Sequence, residues 1–95
     1  MTAYNYLDEN SCRILGAAIA AQAFEDYVNG QRALRKPTLS AKMRRYHQRE
    51  VKDCLTFFES AWFDRLTRGI FDHEALIERL NEIVVDPTIK VVKFR

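Results

Sequence analysis

The chain has 95 residues, is 47% hydrophobic and 29% charged, and carries a formal net charge of +2. Two cores would each be too small to bury enough surface and the chain is too apolar for disorder, so one folded domain spanning 1–95 is expected. The longest stretch without a charge, residues 14–24, has eleven residues, against about 20 for a bilayer span.

Residues 1–9 read as an irregular lead-in whose Tyr4, Tyr6 and Leu7 can cover an edge of the core. Asp8 and Glu9 stand where a signal peptide would be basic, so a cytoplasmic location with no membrane partner is expected. Asn10 or Ser11 can cap a first helix running to about Leu34. Its apolar stripe is Ile14, Ala17, Ala21, Phe24 and Val28, flanked by Ala20, Tyr27 and Gln31. Gly30 weakens the last turns and Pro37 stops the helix. KPTLS (36–40) is a short turn with Thr38 or Ser40 as the next cap, and so short a connection predicts an antiparallel helical hairpin.

The second helix is expected over about 40–59. Met43, His47, Val51, Cys54, Phe57, Phe58 and Ala61 fall within about 120° at 100° per residue, which makes them its inward face. A third, short helix follows in SAWFDRL, capped by Ser60 and ended by Gly69. A fourth, HEALIERLNEI, is capped by Asp72 and shows Leu76, Ile77, Leu80 and Ile83 inward. The β-branched tail TIKVVKFR leaves room for a short C-terminal strand. The fold class expected is therefore all-α, a helical hairpin with two shorter helices packed on it. Cys12 and Cys54 both read as helical core positions and as reduced thiols.

No catalytic signature stands out. The three glycines are isolated, so there is no phosphate loop. His47, Glu50 and Cys54 offer too few ligands for zinc and read as a polar pair beside a core thiol, satisfied by hydrogen bonds to Gln22 or Asp26. His73 reads as a first-turn residue of the fourth helix. We therefore expect no enzyme, cofactor or metal.

Charge is distributed unevenly. Residues 32–52 hold eight basic side chains (Arg32, Arg35, Lys36, Lys42, Arg44, Arg45, Arg49, Lys52) against one acid, Glu50, a balance of +7; the remaining residues sum to −5. On the helical wheel Lys42, Arg45, Arg49 and Lys52 fall within about 80°, roughly opposite the apolar face. Tyr46 flanks this stripe and Arg44 departs from it. The hairpin brings Arg32, Arg35 and Lys36 to the same tip. A solvated face normally mixes signs, so this pattern points to a polyanionic or acidic partner, with phosphate contacts from the cations and Tyr46 free to stack on a base. Trp62 and Phe63, within the aromatic cluster of residues 57–71, are candidate anchors for a protein partner if they are not core.

FFESAWFDRL and EALIERL resemble a pattern, F-F-x-S-x-W-F-x-x-L followed by L-I-x-x-L, found in small, mostly uncharacterised proteins of prophages and mobile elements of Gram-positive bacteria. It maps here to Phe57, Phe58, Ser60, Trp62, Phe63 and Leu66, then Leu76, Ile77 and Leu80. Those proteins often carry an acidic, glycine-containing turn between the two parts, where this chain has Thr67-Arg68-Gly69-Ile70-Phe71. The resemblance implies an intracellular bacterial protein of phage or mobile-element origin. Three functions follow as expectations: a module binding nucleic acid or a nucleoprotein, an anti-CRISPR-like inhibitor of a host defence protein, or a structural homo-oligomer such as a homodimer.

Overall fold

The computed structural model describes residues 9–86, 88 and 89, with side chains from residue 14 onward. It contains four helices: α1 (Glu9–Leu34), α2 (Ala41–Phe58), α3 (Ala61–Thr67) and α4 (His73–Val85). The fold is all-α, and no strand occurs among the described residues. The tail beyond Ile89, where a strand was expected, lies outside them, as do the side chain of Cys12 and the lead-in residues 1–8. No helix is long and apolar enough to cross a membrane among the described residues.

Three of the helix starts follow from local chemistry. Ser40, Ser60 and Asp72 sit in extended conformation, and each side chain accepts a backbone N–H of the first turn: Met43, Phe63 and Ala75 respectively. α3 ends where Arg68 adopts the left-handed region at φ 58°, followed by Gly69 at 67°. Gly69 N–H then donates to the Asp64 carbonyl at 2.8 Å, which satisfies one of the orphan carbonyls of the last turn. α1 begins earlier than its candidate caps, so Asn10 and Ser11 lie inside its first turn.

α1 is the axis of the molecule and packs against all three other helices. α2 returns antiparallel along it, and α4 runs beside it in the same direction, from Phe71 near Phe24 to Val84 near Arg32. The buried face of α1 is Gly16, Ala20, Tyr27, Val28 and Gly30, with Ala23, Phe24 and Leu34 packed against the core. This corrects the expected stripe: Ile14 and Ala17 are exposed and Tyr27 is central. A helix with partners on three sides buries a wide arc, so the narrow stripe suited to one partner locates its centre wrongly.

Two glycines permit close helix contacts. A Cβ at Gly16 would lie 2.6 Å from the carbonyl oxygen of Leu66 in α3, and one at Gly30 would lie 2.9 Å from Cγ2 of Val51 in α2. Gly30, which weakens the helix locally, is thus a point where the hairpin's two arms approach closely enough to leave no room for a side chain.

The core is aromatic. Phe24 meets the rings of Phe58, Phe63 and Phe71 at centroid distances of 5.6, 6.1 and 5.5 Å. Phe57 and Phe58 each lie 5.4 Å from Phe63. Val51, Cys54 and Phe58 of α2 and Leu76 and Leu80 of α4 complete it. Met43 and Ala61, expected inward, are exposed: Met43 lies in the first turn, close to the open hairpin tip, and Ala61 begins α3 after the chain has turned at Glu59–Ser60. The hydroxyl of Tyr27 donates to Asn81 Oδ1 at 2.6 Å and accepts from Gln31 at 3.2 Å, so this buried phenol is satisfied.

Candidate nucleic-acid interface

The eight basic side chains of residues 32–52 sort into two groups. Arg32 reaches across from α1 to the end of α4, where its guanidinium donates to the carbonyls of Ile83 (2.7 Å), Val84 (3.4 Å), Asp86 (2.9 Å) and Ile89 (2.6 Å). Arg44 donates to the carbonyls of Leu34 (3.3 Å) and Lys36 (3.5 Å) at the end of α1. Both are cations placed at the negative C-terminal ends of helices, donating to carbonyls of the last turn and of the residues just beyond it. Arg32 and Arg44 therefore leave the candidate binding surface for a structural one.

The other six remain exposed. Arg35 and Lys36 sit at the hairpin tip, and Lys42, Arg45, Arg49 and Lys52 run down the outer face of α2. None of the six makes an ion pair among the described residues. From Lys42 to Lys52 the ridge is about 15 Å long at 1.5 Å per residue. At 3.4 Å of axis per phosphate, that length matches about four or five phosphates of one strand. Tyr46, 57% exposed, flanks the ridge and is held edge-on to His47, with centroids 5.1 Å apart at 77°.

No match was found for this chain among protein-family models, curated proteins or solved structures.

On the Tyr46 side of the ridge, between α1 and α2, lies a cleft of about 380 Å³ lined by Asp26, Tyr46, Arg49, Glu50, Asp53 and Cys54. Asp53 is absent from the residues singled out in the sequence, and Asp26 appears there only as a hydrogen-bond partner for His47 and Glu50. The helical wheel held the signal for Asp53, which falls between Lys42 and Tyr46; Asp26 was expected to meet α2, but through His47 and Glu50 rather than across a cleft from Asp53. The expected bonding of His47 and Glu50 to α1 is replaced by a contact within α2, His47 Nδ1 to Glu50 Oε1 at 3.5 Å. Gln22 donates instead to Asp26 along α1, at 2.9 Å. Among the described residues no three His, Cys, Asp or Glu side chains are grouped closely enough to hold a metal ion.

The free thiol of Cys54 forms the floor of this cleft. Burial pushes its pKa up to about 12, helped by the negative charges of Asp26, Glu50 and Asp53. Folding thus favours the neutral thiol. Its contribution to stability is complete below the ordinary value of 9.0 and is lost as pH rises toward 12. In a Cys12→Ser background, Cys54 should react with a disulfide reagent at pH 8 at least about thirtyfold more slowly in the native protein than in urea. Equal rates in the two states would contradict the buried, negatively charged floor.

The two aromatic candidates also part company. Phe63 is 1% exposed and belongs to the core, which corrects its reading as a partner anchor. Trp62 is 62% exposed and lies beside Ala61, Arg65 and Leu66 around a shallow groove. Adjacent positions on a helix point about 100° apart, so burying one of the pair turns the other outward.

Proposed function

We propose that the protein is a non-enzymatic binding module that engages nucleic acid or a nucleoprotein in the cytoplasm, and that it is of phage or mobile-element origin. The observation that carries this reading is the α2 ridge: Lys42, Arg45, Arg49 and Lys52 in line, continued by Arg35 and Lys36, without an ion pair among the described residues. Like charges held in a row repel one another and are relieved by a polyanion. Phosphate contacts of this kind fix affinity and carry little base specificity.

Fluorescence anisotropy with duplex and single-stranded oligonucleotides tests the proposal. Binding should weaken with salt, with a slope of log K against log salt of about −3 to −5 for four to six phosphate contacts. The variant Lys42→Glu/Arg45→Glu/Arg49→Glu should bind at least about a hundredfold more weakly. Absence of binding at about 50 mM salt, or an unchanged Kd in the triple variant, refutes it.

A second reading, an inhibitor docking on a host defence protein, is favoured by Trp62, since a large exposed aromatic beside an arginine is the usual composition of an interface hot spot. A partner captured from host lysate that survives nuclease treatment and is lost in Trp62→Ala would support this reading over the first.

A further inference from the structure

The cleft beside the ridge has the wrong charge for phosphate. Of its lining residues only Arg49 is cationic, and three, Asp26, Glu50 and Asp53, are carboxylates. Their convergence places a negative field at Cys54, which adds to burial in raising its pKa. A phosphate would be held on the ridge and repelled one step to the side. What suits the cleft is a flat, neutral group offering N–H donors, tethered to a phosphate that Arg49 can hold.

Acceptors are available for it. Glu50 Oε1 is taken by His47 and Asp26 Oδ1 by the amide of Gln22. Asp26 Oδ2 and both oxygens of Asp53 accept no hydrogen bond among the described residues. Tyr46 at the rim presents an exposed ring. Carboxylates recognise a nucleobase by accepting from an exocyclic amine, as Asp or Glu does with cytosine N4, whereas unpaired thymine offers a single N3–H set between two carbonyl oxygens that the carboxylates would repel. In a duplex the amine keeps one hydrogen free in the major groove, but the ring faces are stacked against neighbouring pairs and are closed to Tyr46.

We propose that this cleft receives an unpaired, amine-bearing base, with cytosine fitting and thymine disfavoured, so that ridge and cleft together select single-stranded over duplex nucleic acid. Tyr46 supplies the stacking surface, Asp53 and Asp26 the acceptors, and Arg49 the phosphate contact. The inference rests on the ridge binding nucleic acid, and its test separates the two.

Anisotropy at pH 7.5 would compare fluorescein-labelled dC12, dT12 and a mixed-sequence duplex, using the full chain. The expected result is that dC12 binds about tenfold tighter than dT12. Asp53→Asn should abolish that preference without weakening dT12, and Tyr46→Ala should weaken both single strands about tenfold while sparing the duplex. Asp53 and Tyr46 are both exposed, so neither change threatens the core. Equal affinities for dC12 and dT12, or a preference that survives Asp53→Asn, would overturn the cleft and leave the ridge standing. No binding to any of the three overturns both.

Discussion

Replacing Phe63 by alanine is expected to destabilise the protein by about 3–5 kcal/mol, while Trp62→Ala, one residue earlier, should change stability by less than about 1 kcal/mol. Phe63 is buried at the junction of α1, α2 and α3, with its ring against Phe24, Phe57, Phe58 and Phe71. Truncation removes the transfer energy of the ring and leaves a cavity that four neighbouring rings cannot close without leaving their tilted and edge-to-face arrangement. A domain this small has total stability of only about 5–15 kcal/mol, so the variant should approach the limit of folding at 37 °C. Thermal unfolding followed by circular dichroism measures it. A Tm for Phe63→Ala within about 3 °C of wild type would mean that this ring is not the centre of the core.

Arg32→Met should lower stability by about 2–4 kcal/mol, or about 10–30 °C in Tm, whereas Arg49→Met should leave it within about 0.5 kcal/mol. The two arginines look alike in the sequence. Arg32 donates to four carbonyls at and just beyond the end of α4, and its removal takes the side-chain donor from all four and the cation from the negative helix terminus, leaving Ile83 and Asp86 only the backbone N–H groups of Asp86 and Ile89. Arg49 is exposed, without an ion pair among the described residues. Oligonucleotide binding should show the opposite order, with Arg49→Met weakened and folded Arg32→Met near wild type at low temperature. If the two variants lose stability equally, the division of the basic segment into structural and ligand-facing cations is wrong. Nearest the same site, the Asp86 carboxylate is held below the usual carboxylate range, first by the Thr88 hydroxyl and then by the Thr88 N–H. The associated stabilisation is present above the ordinary value of 3.8 and fades as pH falls below it.

Much of this organisation is written locally. Ser40, Ser60 and Asp72 cap their helices because a short polar side chain in extended conformation reaches the first-turn N–H groups, and both partners lie within three residues. Likewise α2 has essentially one buried face, so its 100° periodicity alone separates Val51, Cys54 and Phe58 from Lys42, Arg45, Arg49 and Lys52. All of that was legible in the residues themselves.

Other features depended on the assembled molecule. The centre of the buried face of α1 shifted because three helices share it, and no pattern within one helix counts its partners. Arg32 and Arg44 were drawn out of the basic surface by backbone carbonyls, up to 57 residues away for Arg32. A carbonyl is the same group in every residue, so such an acceptor leaves no mark in a sequence. Asp26 and Asp53 meet across one cleft only because α2 folds back along α1 in this register. The chain alone determined which residues are charged and which helix carries them. Tertiary structure decided which of those charges answer the protein's own helix ends and which remain available to a partner, because that choice depends on distances between groups the sequence holds far apart.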